Sequence, residues 1–196
     1  MKAKITPKAI LIPTISLFLI CLVVTALLAV TNSVTAEKIA ANEAQSKQES
    51  MFSVVPDAVE FEEKYADLFY FGKDASGSVI GCAISTAANG YGGQVKVMTG
   101  FDMTGIVVGV DVFYNDDETP GLGKNTSNAS FRDQFKGINS LDSIVVSKDA
   151  SDDVSKTVDA VTSATISSRA VTAAVNEACQ IYNIAMYGTE TGKEAE

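Results

Sequence analysis

The sequence predicts an α+β protein: a single N-terminal transmembrane helix, then one domain in which helices pack on a twisted, mainly antiparallel sheet. Three observations support this fold class. The chain opens with a long uncharged apolar run, short strand-like runs joined by hairpin loops fill its middle, and an amphipathic helical pattern lies near its end. Roughly 140 residues follow the N-terminal segments, which is enough for one hydrophobic core.

The apolar run has the length of a membrane span. No charged residue lies between Ala9 and Val30, and about 20 helical residues cross a hydrocarbon core of about 30 Å. A cleaved signal peptide is the alternative, because Val34–Ala36 has the small residues of a cleavage site, but the apolar part of a signal is usually only about 7–15 residues. We expect a retained single-pass helix, 9–30.

The membrane orientation follows from the lysines before the span. The N-terminus, 1–8, contains Lys2, Lys4 and Lys8, and positive flanks stay in the cytoplasm. Everything after Val30 is then expected to be extracytoplasmic, in the periplasm where there is an outer membrane. The localisation predicted is the cell (inner) membrane.

A polar segment, 31–53, follows the span and is expected to be a mostly helical spacer. The globular domain is expected at 54–187, and a flexible charged tail at 188–196. Five runs in the domain have strand composition: 68–72, 79–85, 94–101, 106–114 and 144–146. Loops at Lys73–Gly77 and Asp102–Gly105 contain the Asp and Gly that hairpins favour.

The 106–114 run is apolar on both faces. It is therefore predicted to be a central strand covered on each side by a helix. These helices are expected around Asn128–Phe135 and from about Ser167 to Tyr187, where apolar residues recur every three or four positions.

Composition excludes several functions. After the span there are 12 basic and 24 acidic side chains, a net charge of −12, so nucleic acid is not an expected partner. The chain has no histidine, which removes His-ligated haem, His metal sites and His-dependent hydrolytic triads. Cysteines lie at 21, 82 and 179 with no CxxC pair, so no iron–sulfur or zinc site is suggested. Cys82 and Cys179 are expected either to form a disulfide or to be buried as small apolar residues.

Hydroxyl groups cluster at the predicted start of the last helix, at Thr165, Ser167 and Ser168. They stand where an N-cap is wanted. Free N–H groups and the helix dipole at such a position also attract phosphate. From the residues alone, both a simple helix cap and an anion site remain open.

Two motifs resemble a known family. Asp159–Thr165 is similar to the flavinylation motif of the FMN-binding domains in the G subunit of Rnf-type ferredoxin:NAD oxidoreductases and the C subunit of sodium-pumping quinone reductases. Glu118–Gly123, after Gly90–Gly93, resembles a second signature of the Rnf G subunit. Ser163 stands where the family usually has Gly, needed either for a positive φ angle or for close approach of a modifying enzyme.

The resemblance implies a cofactor and its site. FMN would be esterified through its phosphate to Thr165. The two motifs would bracket its ring, with these further cofactor-binding residues: Thr162, Ser163, Ala164, Ser167, Ser168, Glu118, Thr119, Gly121, Leu122 and Gly123. Glu118 and Thr119 are the side chains expected to contact the ring, unless Glu118 caps a turn. Lys124 and Arg169 are candidates for holding the phosphate, but each is more simply a solvated charge.

The resemblance also implies a function. The chain would be the electron-transfer subunit of an ion-translocating oxidoreductase, non-catalytic alone and without a metal site. Its partners would be the other subunits of an Rnf-type complex, and a flavin transferase would attach the FMN. Two alternatives stay open: a membrane-anchored module that binds FMN or another anion non-covalently, and an anchored structural subunit.

Overall fold

The computed structural model describes residues 7–147 and 156–188. The predicted tail therefore lies outside the described residues, except for Gly188. The chain divides into two compact units, Met1–Ala44 and Gln45–Glu196. Helix α1 runs through both, as Pro7–Val54.

Within the described residues of the first unit, the chain is this one helix. Among the described residues, α1 is the one helix long and apolar enough to cross a membrane, with a mean hydropathy of 2.7 over its most apolar 18 residues. The N-terminal apolar helix is thus confirmed. The limits 9–30 and the orientation stay predictions.

The second unit contains a five-stranded antiparallel sheet whose strands pair in chain order. The strands are β1 (Glu60–Tyr65), β2 (Phe69–Lys73), β3 (Val79–Asn89), β4 (Gln94–Asp102) and β5 (Val107–Tyr114). A short helix, α2 (Ala129–Arg132), lies between the 3-10 turns Gly123–Ser127 and Asp133–Phe135. A parallel pair, β6 (Ile144–Val146) and β7 (Lys156–Val158), precedes the long helix α3 (Thr165–Tyr187). The predicted α+β fold class is confirmed.

Helix α3 covers one face of the sheet. Its apolar stripe is buried against strand residues such as Ile84, Val97 and Phe101. Tyr182 stacks on Phe101 with 4.8 Å between ring centroids, and the Thr86 hydroxyl donates to the Ala174 carbonyl at 2.9 Å. Burying large side chains of this kind contributes about 1.5–3 kcal/mol each, so α3 is fixed firmly on the sheet.

The end of α1 covers the other face. Met51, Val54 and Val55 pack there on Tyr70, Ala83 and Met98. The backbones approach closely at Gly100, where an added Cβ would lie 2.4 Å from the Val54 carbonyl oxygen. Lys47 reinforces this contact, because its Nζ donates to the Asp67 carbonyl at 2.8 Å and pairs with the Asp67 carboxylate at 3.0 Å. The last residues of the predicted spacer are therefore part of the folded unit.

Two predictions about the sheet were wrong. Strand β5 is an edge strand rather than a central one; its outer side is occupied by the segment after the 3-10 turn, with Val107 N–H donating to Ile138 O at 2.9 Å. The Asn128–Phe135 region does not cover a separate face, since Phe131 and Phe135 join the same core as α3. The apolar second face of β5 contacts the end of α1, at Gly109 beside Val54.

The two domain cysteines are free thiols in the α3 core, both buried. Burial raises the pKa of Cys82 and of Cys179 to about 12. The sequence left open a disulfide or burial as small apolar residues, and in this structure the two cysteines are buried without a disulfide.

Candidate functional site

A cleft of about 520 Å³ lies between the two motif segments. Residues lining it are Tyr91, Glu118, Thr119, Leu122, Gly123, Ser163, Ala164, Thr165, Ile166 and Ser167. The sheet topology explains why the two motif segments lie close together. The β3–β4 hairpin loop and the end of β5 lie at the same end of the sheet, because Lys96 of β4 pairs with Tyr114 of β5.

Glu118 ties the walls of the cleft together. It is 2% exposed. Its Oε1 accepts hydrogen bonds from the N–H groups of Tyr91 at 2.7 Å and Gly92 at 3.3 Å, and its Oε2 accepts one from the Ser167 hydroxyl at 2.8 Å. The carboxylate thus joins the hairpin loop to the first turn of α3.

Glycines give this carboxylate its space. An added Cβ at Gly90 would lie 2.0 Å from Glu118 Oε1, and one at Gly123 would lie 2.0 Å from Oε2. Real side chains do not approach so closely, so both positions require glycine for packing rather than for backbone freedom. The Gly90–Gly93 and Glu118–Gly123 motifs are therefore parts of one structural unit.

The start of α3 is not capped by a hydroxyl. Its N-cap is Ala164, with no side-chain cap, so the helix-cap interpretation of Thr165, Ser167 and Ser168 was wrong. The Ser167 hydroxyl bonds Glu118, and the Ser168 hydroxyl donates to Ala164 O at 2.9 Å and accepts from Val161 N–H at 3.0 Å. The cap alternative is excluded because all three residues lie inside the helix, after its N-cap, and the two serine hydroxyls have other partners.

The Thr165 side chain has no such partner. It is half-buried in the cleft lining, and within the described parts of the chain no hydrogen bond engages its hydroxyl. Ser168 N–H is the first to bond within the helix, to Ala164 O at 2.9 Å. The earlier N–H groups at this end have no intrahelical acceptor. A free hydroxyl therefore stands beside backbone donors that suit an anion.

Ser163 adopts a φ of +61°. A family glycine at this position was expected either for a positive φ angle or for close approach of a modifying enzyme. The backbone of this chain has the positive φ angle. A non-glycine residue in the left-handed region costs about 1–2 kcal/mol. Ser163 is exposed and turns the chain into α3.

A second cleft, also of about 520 Å³, adjoins the first and shares Leu122 and Ser163 with it. It contains two other predicted site residues, Gly121 and Thr162. Its lining is richer in amides and hydroxyls, and Gln134 holds the adjacent chain by accepting from Asp159 N–H at 2.7 Å.

The remaining predicted residues take simpler positions. Lys124 pairs with Asp116 at 3.2 Å, and neither Lys124 nor Arg169 lines the first cleft. Ser168 is buried behind it. Two cleft residues were missed: Tyr91, 72% exposed, and Ile166, 51% exposed. Large apolar side chains with this much exposure often mark a ligand site, but the sequence does not show which side chains are exposed.

Comparison with known proteins identifies the class. Residues 90–180 match the FMN-binding domain family, and residues 1–54 match the RnfG N-terminal region. The fold is thus that of an FMN-binding domain protein with an N-terminal apolar helix.

Full-length relatives narrow the family. The chain is 34% identical over 200 residues to the G subunit of the Na⁺-translocating ferredoxin:NAD⁺ oxidoreductase complex of Acetobacterium woodii, covering 92% of this chain and 95% of that protein. It is 32% identical to the G subunit of the proton-translocating ferredoxin:NAD⁺ oxidoreductase complex of Clostridium ljungdahlii, covering 85% of this chain and 86% of that protein. The chain belongs to the G subunits of ion-translocating ferredoxin:NAD⁺ oxidoreductase (Rnf) complexes.

The fold extends to the quinone reductases. NqrC of Shewanella oneidensis superposes with a TM-score of 0.50 at 18% identity, covering 68% of this chain and 70% of that one. At this identity the likeness shows a shared fold alone. It agrees with the wider family that the sequence motifs resembled.

Proposed function

We propose that this G subunit carries FMN as a phosphoester on Thr165 and relays electrons between other cofactors of its complex. The observation that carries the proposal is the Thr165 hydroxyl, which is unengaged in the lining of a ring-sized cleft and stands at the open end of a 23-residue helix. Bound there, FMN would supply reversible electron transfer, which no side chain of this site provides.

The residues fit the group. A volume of about 520 Å³ lies within the roughly 300–1,000 Å³ typical of cofactor sites. The apolar side chains of Tyr91, Leu122 and Ile166 suit a planar ring. The free N–H groups at the start of α3 suit the single negative charge of a phosphodiester. Ser163 would turn the backbone so that these donors and Thr165 point into the same cleft.

Attachment requires a separate flavin transferase that uses FAD and Mg²⁺. A bond forms between Thr165 Oγ1 and the FMN phosphorus, and the phosphoanhydride bond of FAD breaks. AMP leaves, and the hydroxyl proton passes to a base of the transferase. The only task for this chain in that step is to present an accessible hydroxyl, and the half-exposed Thr165 is suited to it.

The covalent link is useful if the domain is extracytoplasmic, as the lysines before the apolar helix predict. A dissociable flavin lost on that side of the membrane would not be replaced from the cytoplasmic pool. A phosphoester prevents the loss without altering the ring.

The test is flavin retention after denaturation. The full-length protein, expressed with the transferase, is expected to give a fluorescent band on a denaturing gel. Thr165→Ala is expected to be folded but colourless. Thr104→Ala, which removes an exposed threonine hydroxyl in the loop after β4, outside both clefts, is the matched control and should stay fluorescent. A wild-type flavin that denaturation removes would instead support non-covalent binding.

A further inference from the structure

Glu118 is the only charged side chain among the described residues that line the cleft. It is buried, and its hydrogen-bond partners are the N–H groups of Tyr91 and Gly92 and the hydroxyl of Ser167, which are all neutral donors. Backbone N–H groups can only donate, so Oε1 serves as the acceptor of both, and the Ser167 hydroxyl lies within hydrogen-bond distance of Oε2. The wall of the cleft therefore holds a buried negative charge, and no cation of the described lining offsets it.

We propose that the Glu118 carboxylate sets the reduction potential of the flavin carried at Thr165, at a lower value than a neutral side chain would give. This inference rests on the proposed function. Reduction adds electrons to the ring system, and a nearby fixed negative charge opposes that addition. A lower potential makes the reduced cofactor a stronger electron donor.

The distance is short enough for the effect. Glu118 and Thr165 line one cleft, which as a sphere of this volume is about 10 Å across. That length equals the screening distance in about 0.1 M salt, and a buried charge is screened less than an exposed one.

The charge is also fixed in position. Gly90 and Gly123 leave room for the carboxylate, since a Cβ at either glycine would lie 2.0 Å from one of its oxygens, and hydrogen bonds to both oxygens hold it there. Ser167, which bonds Oε2, lies on the first turn of α3, two residues after Thr165. The same helix turn thus holds both the charge and the proposed attachment point.

The experiment is a redox titration of the full-length flavinylated protein in detergent, with dithionite as reductant. Glu118→Gln keeps the shape and an acceptor for Tyr91 N–H but removes the charge, so the midpoint potential is expected to rise. Asp117→Asn is the matched control, because it removes the same charge from the exposed neighbouring residue. Its shift should be smaller and should vanish in 1 M salt, whereas the Glu118→Gln shift should persist.

Ser167→Ala separates charge from structure. It keeps the charge of Glu118 but removes the hydroxyl that bonds Oε2, which leaves the carboxylate with one donor fewer, so the potential is expected to fall. A purely structural role for Glu118 would move the potential of both variants in the same direction. This second variant also decides the question if Glu118→Gln does not fold, which thermal unfolding would reveal.

The outcomes distinguish the two claims. Wild-type protein without covalent FMN by intact mass overturns the proposed function. Covalent FMN with a Glu118→Gln potential equal to or below wild type, or a Ser167→Ala potential above it, overturns the role of Glu118 and leaves the proposed function standing.

Discussion

The Oε2 atom of Glu118 lies 2.8 Å from the Ser167 hydroxyl, across 49 positions of sequence. This one bond joins the loop after β5 to the first turn of α3, and the same carboxylate holds the β3–β4 loop through Tyr91 N–H. Three segments that are distant in the chain are thereby fixed around the cleft. The contact explains why two short motifs, each weak alone, are informative together.

Gly123→Ala is expected to lower the free energy of unfolding by about 2 kcal/mol. The new Cβ would lie 2.0 Å from Glu118 Oε2 and 2.7 Å from Ser167 Oγ, so it must displace a buried, hydrogen-bonded carboxylate. Urea denaturation of the flavin-free protein measures this cost.

A double-mutant cycle provides the control. In a Glu118→Ala background most of the clash is gone, so the Gly123→Ala cost should fall to less than half. Equal costs in the two backgrounds would contradict the packing argument.

Ser163→Gly is expected to raise the free energy of unfolding by about 0.5–1 kcal/mol. Glycine adopts the observed φ of +61° without steric cost, which outweighs its larger loss of chain entropy. Ser130→Gly, at an exposed position within α2, is the matched control and should lower stability by roughly 0.5–1 kcal/mol. Two changes of the same sign would disprove the strain at position 163.

Asp102 should make stability depend on pH in the acid range. Burial alone would raise the pKa of Asp102, but hydrogen bonds from the Thr104 hydroxyl and from the N–H groups of Thr104 and Ile106, at 2.7, 2.8 and 2.9 Å, outweigh it and lower the pKa. The stabilisation is therefore present above the unfolded-state pKa of about 3.9 and is lost as the pH falls through the folded-state value.

Asp102→Asn is accordingly expected to cost about 1 kcal/mol at pH 7, with the difference from wild type shrinking below about pH 4. Thr104→Val removes one of the donors and should have a smaller effect of the same form. Unfolding curves collected from pH 7 to pH 3 test this. A difference from wild type that grows towards low pH would mean that the sign is wrong.

The proposed orientation predicts the activity of fusions made after Gly188. Alkaline phosphatase, which is active only outside the cytoplasm, should be active there, and a fluorescent protein that folds only inside should be dark. Replacing Lys2, Lys4 and Lys8 by glutamate should reduce or invert the pattern. Fluorescence from the native sequence would place the domain in the cytoplasm and remove the reason for a covalent link.

The sequence predicted the elements that have strong local patterns. The α3 stripe and strands β2 to β5 follow from periodicity and from hairpin loops, and the two motif loops were expected to meet. Strand β1 was missed because five of its six residues are exposed and its sequence, EFEEKY, lacks alternation; such charge is usual on an edge strand. Strand β7 was missed because it has only three residues, of which two are exposed.

The sequence did not reveal which distant segments become neighbours in the fold. Two apolar faces on β5 suggested a central strand, but the sequence does not reveal that the end of α1 covers one face. Likewise, the bonds of Glu118 to Tyr91 N–H and Ser167 were not predicted, because they depend on contacts between distant segments. The sequence left open whether the hydroxyls at the start of α3 cap the helix, because it does not reveal that Ala164, with no polar side chain, is the N-cap.

The most direct test of the account is mass analysis of the protein isolated from its natural complex. The intact chain should be heavier by one FMN esterified with loss of water, and tandem mass spectrometry of the peptide spanning Val158 to Arg169 should place the added mass on Thr165. An unmodified Thr165 in the assembled complex, or FMN on another residue, would contradict the central claim.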